Sequence, residues 1–179
     1  MSLVREYPRI LSDYFRIAQE LAGEGLDILK TDAYNETESL PIPGGIARNI
    51  PGRVQIIELD SSRCRQALRM GFVVTHADIR QIPFEDGSFD LILDFSTIDH
   101  VGDYQVVLKE YARLLRPNGT ASIVFWTKPV GDLDKDGQYY FTHDEFMADI
   151  TTIFQTGRIE TLFREDGRQL TLFIGGKRE

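Results

Sequence analysis

The chain has 179 residues, 42% of them hydrophobic and 27% charged, with a formal net charge of −8 and one cysteine, Cys64. That length suits one globular domain with a core large enough to need no staple. The lone cysteine excludes an internal disulfide and a cysteine metal site, and it fits a reducing cytoplasm. A field of this sign opposes nucleic acid and anionic membranes, so the expected partner is a small molecule. No run approaches the ~20 apolar residues that span a bilayer, and the first residues lack a secretory signal pattern.

Residues 8–22 read as a helix, with Ile10, Leu11, Tyr14, Phe15, Ala18 and Leu21 at helical spacing, Pro8 at its first turn and Gly23 and Gly25 as its stop. The apolar run Leu26 to Leu29 reads as a strand. A loop with three prolines and three glycines follows, leaving room for a short helix around Ile46 to Ile50. Val54 to Leu59 is a β-branched strand closed by Asp60. Ser61 to Met70 is a helix with Cys64, Ala67 and Leu68 inward, and Phe72 to Thr75 is a strand.

Phe89 to Phe95 is a near-continuous apolar run, as expected of a strand buried on both faces. Asp103 to Leu115 carries the clearest helical stripe, with Asp103 placed to cap it, and Arg116 to Gly119 is a stop and turn. Thr120 to Trp126 is a further buried strand and His143 to Phe154 a helix. Arg158 to Phe163 and Gln169 to Ile174 are two strands joined by an Asp-Gly hairpin turn. Strands alternating with helices and ending in a hairpin predict an α/β, Rossmann-like, three-layer fold. Its mostly parallel sheet has about seven strands and an antiparallel edge hairpin. No domain boundary interrupts residues 1–179, and residues 1–25 are expected to pack on the site or lid it.

Ligands of such sheets bind beyond the carboxyl ends of the strands, where this chain is acidic. Thr31 and Asp32 follow the first strand, Asp60 and Ser61 the second, Asp78 and Ile79 the third, and Asp94, Phe95, Asp99 and His100 the fourth. A carboxylate at Asp60 offers two acceptor oxygens to a ribose, or else caps the helix starting at Ser61. Asp78, beside Ile79 and Ile82, suits an exocyclic amine and an apolar purine face, or else a turn. His100 is the candidate general base, since an imidazole ordinarily changes charge near neutral pH, with Asp99 as a weaker candidate, although a lone histidine is more often a packing or loop residue. Asp132 to Gly137 repeats the start of a calcium loop, but His143 stands where its final glutamate belongs. The expectation is a solvated acidic loop and no metal site.

Together the run from Val54 to Trp126 resembles the core of class I S-adenosylmethionine (SAM) methyltransferases. The resemblance rests on the acid closing Val54–Asp60, on Asp78 with Ile82-Pro83-Phe84, on Asp86-Gly87-Ser88-Phe89-Asp90, and on Glu110-x-x-Arg113-Leu114-Leu115-Arg116-Pro117-Asn118-Gly119. It implies SAM as cofactor, methyl transfer to a small-molecule acceptor, and cofactor contacts at Thr31, Asp32, Asp60, Ser61, Asp78, Ile79, Asp94 and Phe95. One departure is conspicuous. The family places a glycine-rich loop after its first strand, whereas this chain has no glycine from Asp27 to Pro43; Lys30 stands near the family's acidic position and Asp32 near its first glycine. Either Asp32 holds the SAM ammonium in a variant loop, or the domain has lost SAM and serves as a non-catalytic partner. A nicotinamide-dependent oxidoreductase is disfavoured, because both Gly-x-Gly-x-x-Gly and Tyr-x-x-x-Lys are missing.

Overall fold

The computed structural model of the protein describes residues 3–38, 42–129, 131–133, 138–165 and 167–177. The elements in chain order are α1 (Leu3–Leu21), β1 (Asp27–Lys30), α2 (Tyr34–Thr37), β2 (Arg53–Glu58), α3 (Ser61–Arg69), β3 (Val74–His76), β4 (Phe89–Phe95), α4 (Tyr104–Leu114), β5 (Leu115–Lys128), β6 (Asp132–Leu133), β7 (Tyr139–Thr142), α5 (His143–Ile153), β8 (Phe154–Glu165) and β9 (Arg168–Lys177). The helix expected over 8–22 begins earlier, at Leu3, so Pro8 lies inside it.

Strands β3, β2, β1, β4 and β5 run parallel and adjacent in that order, and the antiparallel hairpin β9–β8 continues the sheet from β5. That makes the seven-stranded, mostly parallel sheet expected from the sequence. The hairpin strands are much longer than predicted. They pair from Phe154↔Lys177 to Glu165↔Arg168. The described residues add one short pair that the sequence did not announce, β6–β7.

β5 is paired on both edges at its carboxyl end. Thr127 faces Gln169 of antiparallel β9 and Phe141 of parallel β7, and these must lie on opposite edges. Because β4 ends at Phe95↔Val124, β7 takes the edge that β4 vacates and passes above the end of β4.

Residues of the central strands alternate between two cores, as a period of two requires. Leu29, Ile57 and Ile92 pack with Leu108, Tyr111 and Phe146 of α4 and α5. Ile28, Leu91 and Leu93 pack with Ile10, Leu11, Tyr14 and Ile17 of α1 and with Leu172 of β9. The expected short helix at Ile46 to Ile50 is instead a run of turns that buries Ile46 and Ile50. Asn49 closes these turns by donating from its amide to the carbonyls of Pro43 and Gly45.

Candidate functional site

The carboxyl ends of β1 to β5 open into one cavity of about 790 Å³. Of the sequence-derived candidates, Thr31, Asp32, Asp78, Ile79, Phe95 and His100 line it. Asp60, Ser61, Asp94 and Asp99 do not, and each has a physical reason.

Asp60 is the N-cap of α3. Its Oδ1 accepts from the Arg63 amide at 2.7 Å, and that bond holds its carboxyl below the ordinary range. Ser61 is exposed at the first position of the same helix. The acidic group that β2 delivers to the cavity is Glu58, two residues earlier. It is buried, and its carboxylate accepts from the amides of Ala33 (3.0 Å) and Asp60 (2.7 Å), with the Arg63 guanidinium 3.4 Å away. Asp60 caps α3 just outside the strand, so Glu58, the last residue of β2, is the one aimed at the crevice.

Asp94 and Asp99 are fully buried supports beneath the wall. Asp94 accepts from the Tyr111 hydroxyl (2.6 Å) and the Thr97 amide (2.7 Å), yet burial outweighs these bonds and lifts its carboxyl to about 6. Asp99 ties the Ser96 hydroxyl to the Trp126 amide, and burial pushes it well above the carboxylate range. Between them stands Ser96, a wall residue held at φ +64°, a strained conformation for a non-glycine residue. His100 is exposed on the wall, at the end of the 3-10 turn Ile98–His100.

The first loop is a closed electrostatic unit. Lys30 is 1% exposed. Its ammonium donates to the Asp32 carbonyl at 2.6 Å and lies 3.3 Å from the Asp32 carboxylate and 3.0 Å from Glu36. Burial alone would depress this ammonium, but Asp32 and Glu36 more than reverse that and hold it above its ordinary range. Glu36 in turn accepts from the amides of Ile46 and Ala47 and pins the turns that replace a first helix. Gly45 permits that approach: a Cβ there would stand 2.8 Å from the Glu36 Cα.

Asp32 also accepts from the Tyr34 amide (2.8 Å) and from the Thr97 hydroxyl (3.1 Å), which itself accepts from Thr31 (2.9 Å). The chain Thr31–Thr97–Asp32 thus links the loops after β1 and β4. Tyr34 presents its ring to the cavity under the Arg63 guanidinium.

At the other rim, Asp78 pairs with Arg80 at 2.6 Å, which holds its carboxyl below the ordinary range. Glu110 and Arg113 at the end of α4 serve a structural purpose. Glu110 accepts from the Ile82 amide, and Arg113 donates to the carbonyls of Ile82 and Phe84 and to Asp86, fastening the loop behind Asp78. The acidic loop noted in the sequence has residues 134–137 outside the described residues. Among the described residues no group of three or more His, Cys, Asp or Glu side chains could hold a metal ion, and no helix is long and apolar enough to cross a membrane.

Residues 46–123 match the family model described as "Methyltransferase domain". Demethylmenaquinone methyltransferase of Staphylococcus aureus (strain Newman) is 34% identical over 77 residues, which are 43% of this chain and 31% of that protein. The aligned stretch therefore spans under a third of the curated relatives it matches. Among solved structures, the [4+2]-cyclase SpnF superposes with a TM-score of 0.77 at 13% identity, covering 95% of this chain and 80% of that one. The 1,6-didemethyltoxoflavin-N1-methyltransferase of Burkholderia thailandensis, crystallised with its substrate and S-adenosylhomocysteine, gives 0.75 at 17% identity, covering 98% and 81%. Geranyl diphosphate C-methyltransferase of Streptomyces coelicolor A3(2) gives 0.74 at 14%, covering 98% and 84%. Residues 46–123 thus match a methyltransferase-domain model, and the chain has the class I methyltransferase fold.

Proposed function

We propose that the chain is a SAM-dependent methyltransferase of a small-molecule acceptor, with the cofactor over β1–β3 and the acceptor over β4 and β5. The observation that carries this reading is one cavity at the carboxyl ends of the sheet, walled by Glu58, Asp78, Ile79 and Asp32 on one side and by His100 on the other. The residues present fit the cofactor's chemistry. Glu58 offers carboxylate oxygens to ribose hydroxyls, Ile79 an apolar face and Asp78 an acceptor for an adenine amine. Asp32 stands in the loop where the family uses backbone, and its carboxylate suits an ammonium. When bound, SAM supplies a methyl group already activated on a sulfonium.

This chain's own part is then mostly orientation. The Thr31–Thr97–Asp32 chain fixes the two loops between which the ligands meet. Ser96, held by Asp99, sets the backbone after β4. His100 accepts a proton where the acceptor is a poor nucleophile such as a hydroxyl. Tyr7 and Ile10 of α1 close the acceptor side. The segment 1–25 is read as part of the same domain, lidding the site. The buried lone Cys64 suits a cytoplasmic setting. Relatives named for demethylmenaquinone and 1,6-didemethyltoxoflavin agree with a small-molecule acceptor.

Calorimetric titration with SAM, S-adenosylhomocysteine and NAD tests the reading. SAM and S-adenosylhomocysteine should bind saturably and NAD should not. Absence of heat for all three would move the protein to a second reading, a methyltransferase-like domain without cofactor. The side chains filling the first loop favour that alternative, as does the existence of a cyclase on the same fold.

A further inference from the structure

The sheet order divides the cavity into two chemically different halves. Over β1, β2 and β3 its wall is charged, with Asp32, Glu58, Arg63, Asp78 and Arg80. Over β4, β5 and β9 it is built from Phe95 and Trp126 at strand ends, Leu170 of β9, Tyr7 and Ile10 of α1, and Tyr139 of β7. These six come from five elements and converge only because α1 packs under β4 and β7 passes above its end. Tyr7 stands 6.2 Å from Phe95, ring centre to ring centre, and burial lifts its hydroxyl to about 12, so it stays a neutral, hydrogen-bonding phenol. Trp126 is 6% exposed, with its edges against Tyr140 and Phe163. Tyr139 lies flat on the chain at Gly102, where an added Cβ would come within 2.9 Å of its ring. Among the described wall residues of this half none is a lysine or arginine, and its carboxylate, Asp103, lies 3.6 Å from Arg80 at the border with the charged half; its other polar groups are Ser96, Thr97, His100 and Gln138.

We infer that this half is a binding site for an uncharged, planar aromatic molecule carrying a hydroxyl or ring nitrogen, and that such a molecule is the acceptor. Aromatic side chains offer ring edges and faces to which a flat π-system adds contact energy beyond area burial, whereas a saturated ring of the same size gains area alone. A wall without a basic side chain leaves a buried carboxylate unpaired, and that is costly. The molecule's one polar atom then meets His100 or Thr97 at the border with the charged half. The inference rests on reading the cavity as a two-ligand site. It deepens the proposed function by naming the acceptor's chemistry.

Three probes of similar outline test it in calorimetric titrations of the intact protein: 2-naphthol, decahydro-2-naphthol and 2-naphthoate. The expected order is 2-naphthol first, with the saturated alcohol and the carboxylate each roughly tenfold weaker. Gly102→Ala, which drives the Tyr139 ring off its seat, and Tyr139→Ala should each weaken 2-naphthol by a similar factor. Their thermal melts check that they fold, and both should leave the affinity for S-adenosylhomocysteine within twofold. No saturable heat with 2-naphthol, equal affinity for the saturated alcohol, or loss of S-adenosylhomocysteine in step with 2-naphthol would overturn the inference. Binding of 2-naphthol without any binding of S-adenosylhomocysteine would support this site while removing the methyltransferase reading, so the two fail separately.

Discussion

Lys30 and Glu36 form an ion pair at 3.0 Å in which neither side chain reaches solvent, in the loop that follows β1. Removing one member of such a pair leaves a buried charge uncompensated and costs about 3–5 kcal/mol. Lys30→Met should therefore lower the unfolding free energy by roughly 3 kcal/mol or more. Adding Glu36→Gln removes the orphaned charge and keeps an oxygen for the Ile46 and Ala47 amides, so the double variant should recover at least about 1 kcal/mol. Urea denaturation reads both. A single variant within about 1 kcal/mol of the parent would show that the pair does not anchor the loop.

Glu58 and Asp60 compete for one assignment, and two variants separate them. Losing a charge-assisted hydrogen bond costs about 1.5–3 kcal/mol, so Glu58→Gln should weaken SAM roughly tenfold or more. Asp60→Ala should cost about 1 kcal/mol of stability through the lost helix cap and leave SAM affinity within about twofold. A tenfold weakening in Asp60→Ala would return the ribose to Asp60.

Asp32 distinguishes ligands by their charge. Asp32→Asn should weaken SAM more than adenosine, because adenosine has no ammonium to lose. Calorimetry on both ligands provides the comparison. Equal losses, or none, would reduce Asp32 to its bonds with Lys30, Tyr34 and Thr97.

The buried Asp94 carboxyl makes stability depend on pH in an unusual direction. Burial lifts it to about 6, above the ordinary carboxylate value of 3.8, so between these values the folded state holds the proton that the unfolded state has released. Stability contributed by Asp94 is complete below about pH 4, falls as pH rises to about 6 and then levels off. The span corresponds to about 3 kcal/mol at 1.36 kcal/mol per unit. Asp27, lowered to about 2 by Arg53 and Arg116, acts below that window and with the opposite sign. Subtracting the urea-derived stability of Asp94→Asn from that of the parent at each pH isolates the effect. The difference should slope downward from pH 4 to 6, and a flat difference would refute it.

The sequence by itself determined the layers, the mostly parallel sheet and the terminal hairpin. These follow from short-range pattern: the apolar run Phe89 to Phe95 fits only a strand buried on both faces, and the stripe from Tyr104 to Leu115 only a helix against it. It also located the wall residues that come directly after strand ends, Asp32, Asp78, Ile79, Phe95 and His100, because chain direction alone carries these to the crevice. The choice between Glu58 and Asp60 was decided by the tertiary structure, since a strand end and a helix cap two residues apart read alike until the turn between them is fixed. The same holds for Lys30. Its partner Glu36 is six residues away, and only the packing of the turns behind Gly45 buries both. The aromatic half of the cavity was least legible of all. Tyr7, Trp126, Tyr139 and Leu170 are far apart in the chain and share no periodicity, and each reads as ordinary core until the sheet gathers them. Local sequence encodes elements through nearest-neighbour sterics and apolar spacing, whereas a site assembled from many elements is specified by long-range contacts that no window of sequence contains.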